Sequence, residues 1–167
     1  MRLTVIALLV SSLAFAAPRA QALLRDSAGK KVGTADFTSV DGGVHVSLKV
    51  KGVSPGPHGF HVHELGSCVA PDFSSAGGHF NPDEKKHGVA NPGGAHVGDL
   101  DNVSVDVKGD GTGAFVVFRA SLDAAPGGLL KKDGTALVLH ADPDDLKTDP
   151  AGNSGKRIAC GVIRARK

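Results

Sequence analysis

The chain has 167 residues, with 19 Lys and Arg against 17 Asp and Glu, a length that suits one domain with a single core and a charge balance that leaves no basic face for nucleic acid. The opening MRLTVIALLVSSLAFAAPRAQA carries a basic residue, an apolar run from Leu3 to about Ala17, and then Ala20-Gln21-Ala22, the small-x-small pattern of an export signal. The run is shorter than the ~20 residues that span a bilayer, which excludes a membrane anchor of ordinary length.

We therefore read 1–22 as a signal peptide and 23–167 as the domain, with cleavage after Ala16 as the rival processing point. Loss of Arg2 and Arg19 would leave 17 basic against 17 acidic residues. The mature chain is expected in the periplasm or outside the cell, free of the membrane. In that oxidising setting Cys68 and Cys160 are most simply a disulfide, two buried thiols being the alternative. The basic tail Arg164, Arg166, Lys167 reads as a solvated terminus.

Beyond the signal the hydrophobic period is mostly two. In VHVSLKV, Val44, Val46, Leu48 and Val50 share one face while His45, Ser47 and Lys49 share the other, which turns His45 toward solvent. KVGTADFTSV precedes this run, and VSVDVKG, GAFVVFRA, TALVLHA and RIACGVI follow it, divided by turn signals such as VDGG, KGDGTG and KKDGT. No segment requires a helix. Two segments, about 65–100 and 141–156, lack strand pattern, and loops of that length in a compact chain are either functional or disordered. The expectation is an all-β sandwich or barrel carrying two large loops, without a second domain or repeat.

The histidines decide between those options. HGFHVHELGSC, His58 to Cys68, puts three imidazoles into six residues, and seven of the chain's eight histidines gather at the loops: His58, His61, His63, His79, His87, His96 and His140. On an extended strand His61 and His63 leave the same face and can bind one ion. The further histidines, together with Asp99 three residues after His96, make a metal site the expected function of the loops. Imidazole suits copper and zinc, while the scarcity of thiolate and the single Met argue against iron–sulfur clusters and Met-type Cu(I) carriers.

Five stretches then carry a family resemblance. PGPHGFHVHE (Pro55–Glu64), GGHFNP (Gly77–Pro82), KHG (Lys86–Gly88), HVGDL (His96–Leu100) and GKRIACGVI (Gly155–Ile163) closely resemble, in order, copper/zinc superoxide dismutase. The VAPDF that follows Cys68 is similar to the secreted bacterial branch. The resemblance implies an eight-stranded antiparallel Greek-key barrel or sandwich with two long functional loops, and one copper and one zinc ion per chain. Copper would be held by His61, His63, His79 and His140, and zinc by His79, His87, His96 and Asp99, with His79 shared. Asp144 would accept hydrogen bonds from His61 and His87, Asp145 being the register-shifted alternative. His58 would brace strand against loop. Arg157 would stand beside the copper, aimed by the backbone carbonyl of Cys68, and a Cys68–Cys160 bridge would fasten the metal loop to the strand after Arg157.

The implied reaction is dismutation of superoxide to dioxygen and hydrogen peroxide, with Arg157 holding the anion and His79 carrying a proton. Lys147 or Lys156 would steer substrate, Ala151 stands where many animal relatives carry a channel-narrowing Thr, and a homodimer is allowed. Two rival readings stand beside it. A non-enzymatic copper/zinc buffer or metallochaperone on the same fold would commonly lack a copper ligand or the arginine, and neither is missing here. A zinc hydrolase would need a general base that is not evident, and HExxH is absent.

Overall fold

The alternation seen in the sequence becomes a closed antiparallel barrel in the computed structural model, which describes residues 19–166. Ten strand segments follow in chain order: β1 Arg19–Asp26, β2 Lys31–Val40, β3 Gly43–Lys51, β4 Gly56–His58, β5 Phe60–His63, β6 Val103–Val105, β7 Asp110–Phe118, β8 Ala136–His140, β9 Arg157–Val162 and β10 Arg164–Ala165. The only helical piece among the described residues is a 3-10 turn, Ser74–Ala76. Around the sheet the order is β4-β6-β7-β3-β2-β1-β9-β8-β5, with β10 a short addition to β1.

Its first and last members, β4 and β5, are two halves of one strand interrupted at Gly59, so the path closes into eight strands. Gly59 is where the strand changes partner: its carbonyl accepts from His140 N–H and its own N–H donates to Asp142. A Cβ there would come within 2.7 Å of the Ser154 Cβ and 3.3 Å of the His61 ring, so only glycine admits both neighbours. Chain neighbours β3 and β4 are separated in the sheet by β7 and β6, and β7 and β8 by four strands. Both connections cross a barrel end, the Greek-key pattern.

Alternation fills the interior. Val44, Val46, Leu48 and Val50 on β3 are buried while Lys49 and Lys51 are exposed and His45 is half-buried on the outer face. Phe37, Phe60, Leu24, Leu48, Leu137 and Leu139 form the centre of the core. The β2–β3 hairpin turns on Asp41-Gly42, with Gly42 in the left-handed region at φ 76°, and registers Val40 against Gly43.

The expected boundary after Ala22 falls inside β1, while residues 1–18 of the expected signal lie outside the described residues. Ala20 and Ala22 pair with Phe37 and Ala35 and are 1% and 0% exposed. A small-x-small spacing is also what a strand shows when its small residues face a core, so Ala20-Gln21-Ala22 belongs to the barrel.

Candidate metal centre

Strand β5 is buried along its whole length, and one edge is paired to β8. Its other edge receives the long loop. His61 bridges to Asp99 and His63 to His79, while Val62 N–H donates to Gly98 (2.9 Å) and its carbonyl accepts from Phe80 (2.8 Å). Glycine is obligatory at 98, since a Cβ would collide with the Val62 carbonyl. The loop is thus stitched to the strand that bears two histidines. From the far side β8 ends on His140, which registers against Arg157 at the start of β9. His61, His63, His79, His87, His96 and His140 are all buried.

Six buried side-chain polar atoms lack a partner among the described residues, and four of them are the ring nitrogens His61 Nδ1, His63 Nε2, His79 Nε2 and His140 Nε2. These rings form one group of potential ligands whose atoms lie within 4.8 Å of each other. In each ring the opposite nitrogen has an acceptor. His61 Nε2 donates to Asp144 (2.7 Å), His63 Nδ1 to the Gly77 carbonyl (2.9 Å), His79 Nδ1 to Asp99 (2.7 Å) and His140 Nδ1 to the Gly155 carbonyl (3.3 Å). A neutral imidazole with its proton on one nitrogen presents a lone pair on the other. Four lone pairs therefore converge, each unpaired at a cost of about 1–3 kcal/mol, an arrangement that a cation relieves. Burial is the main reason that these rings stay neutral: it pulls His63 down to about 2 and both His79 and His140 to about 4, and lowers His61 as well. Four imidazoles fit copper.

The second group fits zinc. Asp99 Oδ1 lies 2.7 Å from His79 Nδ1, 3.0 Å from His87 Nδ1 and 3.1 Å from His96 Nδ1, and the His79 and His96 nitrogens are 3.4 Å apart. A tetrahedron with bonds of about 2.0 Å has edges of about 3.3 Å, so the four atoms have zinc-site spacing. The other Asp99 oxygen accepts from Gly88 N–H (2.8 Å) and His96 N–H (3.0 Å), which fixes the carboxylate. Burial would raise the Asp99 carboxyl, but the three imidazoles outweigh it and hold the group well below the usual carboxylate range.

Asp144 ties the two groups together. Its carboxylate accepts from His61 (2.7 Å), His87 Nε2 (3.0 Å) and Leu146 N–H (2.6 Å). Burial opposes its ionisation, yet His61 and His87 bring it below the ordinary carboxylate value. Burial would lower His87, but the hydrogen bonds to Asp144 and Asp99 prevail and raise it to about 9. Asp145, the register-shifted alternative, points elsewhere: its carboxylate caps Lys147 and Thr148 N–H groups and binds the Asn153 amide at the surface. His58 is 2% exposed, with Nδ1 donating to the His140 carbonyl and Nε2 facing that of Ser54, both at 2.8 Å, so it spans from the β3–β4 loop to the end of β8.

Arg157 requires a correction. Its guanidinium donates to the carbonyls of Phe73 (2.7 Å) and Gly77 (2.6 Å), and Cys68 takes no part. Phe73 adopts a left-handed backbone (φ 56°) at the head of the Ser74–Ala76 turn, so the chain reaches Arg157 five residues later than expected. Cys68 and Cys160 are joined as a disulfide, with Cα atoms 5.6 Å apart. Cys160 packs with Phe73, Ala76, Ala136 and Val138, beneath the turn that grips Arg157. Arg157 lines a cavity with His63, Glu64, His79, His140 and Ala151; neither Lys147 nor Lys156 borders it. Sequence reasoning also missed Asn102, Glu64 and the Gly77 carbonyl, the last of which carries no side-chain signal.

Comparison with known proteins agrees with this geometry. Residues 31–163 match the family model for copper/zinc superoxide dismutase (SODC). The chain is 47% identical over 141 residues to superoxide dismutase [Cu-Zn] 1 of Aquifex aeolicus, covering 81% of this chain and 82% of that one. It is 41% identical over 148 residues to superoxide dismutase [Cu-Zn] of Caulobacter vibrioides, covering 87% and 85%. Among solved structures it superposes on a SOD-like protein from Bacillus subtilis with TM-score 0.81 at 41% identity, covering 85% of this chain and 96% of that one. The Cu/Zn superoxide dismutase from Brucella abortus gives TM-score 0.68 at 31% identity, covering 87% and 99%. With the match spanning every strand from β2 to β9 and both loops, the chain belongs to the copper/zinc superoxide dismutase family.

Proposed function

We propose that this protein dismutes superoxide, two O₂•⁻ and two protons giving O₂ and H₂O₂, and that the residues described above divide the work as follows. His61, His63, His79 and His140 would hold copper through their inward lone pairs. His79, His87, His96 and Asp99 would hold zinc, so that His79 is shared. Copper, when bound, supplies one-electron exchange with superoxide, and zinc supplies a fixed charge that keeps its oxidation state.

The protein's own groups do the rest. Arg157 spends two donors on Phe73 and Gly77 and keeps its charge and remaining N–H groups for a small anion in the cavity. Nε2 of His79 is the atom suited to hold and release a proton, since the zinc-side Nδ1 stays anchored. Asp144 binds Nε2 of His61 and of His87, which leaves His61 Nδ1 to the group that would hold copper and His87 Nδ1 to the group that would hold zinc. The observation that carries the reading is a cluster of four orphaned imidazole nitrogens, three of whose rings, His63, His79 and His140, line one cavity with a clamped guanidinium. A buffer or metallochaperone needs no such guanidinium.

For the finer points we place the mature N-terminus at Ala17, which preserves β1, and the mature protein in the periplasm or outside the cell; the disulfide supports an oxidising compartment. Among the described residues no helix is long and apolar enough to cross a membrane. The test is superoxide disappearance on protein loaded with copper and zinc, against a metal-free control, with one copper and one zinc expected per chain. Equal rates in the two samples would refute the reading.

A further inference from the structure

The acidic residue that follows the second histidine of the HVHE segment has no assigned role, and its contacts single it out. Glu64 N–H donates to the Gly78 carbonyl (3.0 Å), and Gly78 N–H donates back to Glu64 Oε1 (3.0 Å), so one residue holds both polar groups of a single loop residue. That loop residue sits between two functional groups. Before it, the Gly77 carbonyl accepts from both Arg157 (2.6 Å) and His63 Nδ1 (2.9 Å). After it comes His79, which both metal groups share. The fit is tight: Gly77 has φ 74°, and a Cβ there would stand 2.5 Å from Glu64 Oε1 and 2.7 Å from its Cγ. Glycine at 77 thus serves the carboxylate as well as the backbone.

Glu64 also lines the cavity, where it is the sole acid beside Arg157, the sole permanent cation. A carboxylate on the route of an anion opposes the anion's approach, so its presence calls for a compensating contribution. We propose that Glu64 is a positioning residue: its side-chain acceptor fixes the Gly77–Gly78 peptide, and through the Gly77 carbonyl it sets Arg157 in the orientation that receives a small anion. This rests on the dismutase reading of the same cavity.

The two effects of Glu64 have opposite signs, which makes them separable. Glu64→Gln removes the charge but keeps an oxygen acceptor at the same reach, so anion binding should hold or tighten. Glu64→Ala removes charge and acceptor together. The measurement is titration of copper- and zinc-loaded protein with azide, followed by the azide-to-copper absorption band, with metal content and melting temperature recorded for each variant. Azide binding reads the anion site without turnover, so an inactive wild type would fault the dismutase reading while leaving this titration interpretable. The Ala variant should keep both metals and bind azide about tenfold more weakly than the Gln variant, the size of one hydrogen bond's net contribution. In an Arg157→Ala background that difference should vanish, because Glu64 acts through Arg157. Equal azide affinity in the Gln and Ala variants would overturn the proposal, as would a difference of unchanged size once Arg157 is gone.

Discussion

Asn102 and Asp144 grip one another by main chain and side chain at once: the Asn102 amide donates to the Asp144 carbonyl (2.9 Å) and accepts from the Asp144 N–H (2.7 Å). One residue at the mouth of β6 therefore locates the carboxylate that orients His61 and His87. Asn102→Ala would leave the Asp144 main-chain groups unpaired in a largely enclosed place, at about 1–3 kcal/mol for each. We expect a lower melting temperature and faster loss of zinc to a chelator, with the strand signal in circular dichroism unchanged. Zinc release at the wild-type rate would mean that the loop holds Asp144 without this clasp.

The parts of this site that were legible in the sequence are those where period and chemistry coincide. The runs KVGTADFTSV, VHVSLKV and RIACGVI became strands because a period of two has one solution against a core, and His61 and His63 share a face for the same reason. Ring chemistry plus family motif placed the remaining ligands. What escaped were contacts made by backbone atoms. Phe73 and Gly77 grip Arg157 through carbonyls, and every residue has one, so only the left-handed turn at Phe73 decides which is presented. The break at Gly59 and the burial of Ala20 and Ala22 depend on distant partners, Asp142, His140 and β2, that local pattern does not reveal.

Removal of the metals should expose a pH optimum. His63, His79 and His140 sit below their ordinary value of 6.5, at about 2, 4 and 4, so on acidification the unfolded chain takes up protons before the folded one does. Stability of the metal-free protein should thus fall as pH drops from about 6.5 toward 4. His87 is raised to about 9, so its stabilising contribution is complete below 6.5 and is lost as pH climbs through 9. Melting of the metal-free protein across pH should peak near 6.5. A curve that rises steadily from 6.5 to 9 would contradict the environment described for His87.

The bridge between Cys68 and Cys160 closes a separation of 92 residues, for which the chain-entropy model gives about 4–5 kcal/mol. Because Cys160 packs against Phe73, reduction should also loosen the carbonyl grip on Arg157. Melting and azide affinity, measured with and without reductant on metal-loaded protein, should both decline. Full affinity with a lowered melting temperature would restrict the bridge to stability.

The mature N-terminus can be read from mass. With Ala20 and Ala22 in the core, exported protein should begin at Ala17, and a variant starting at Leu23 should melt lower because it lacks half of β1. An exported form beginning at Leu23 with undiminished stability would restore the later boundary.

Arg157 offers the sharpest test of how an anion reaches the centre. Neither Lys147 nor Lys156 lines the cavity, so the protein's own attraction there rests on one guanidinium opposed by Glu64. Added salt should slow the reaction, since the Debye length falls to about 10 Å at 0.1 M and screens the outer part of that field. Arg157→Ala should lower the rate about 10- to 100-fold, the range of one charge-assisted hydrogen bond, without removing either metal, because Arg157 is not a ligand. Arg157→Lys keeps the charge but cannot reach Phe73 and Gly77 with a planar fork, so it should retain more activity than Ala and less than wild type. Rates for the three proteins across a salt series, with metal content measured in each, decide the matter. If the alanine variant kept both the wild-type rate and its salt slope, Arg157 would be no part of substrate capture.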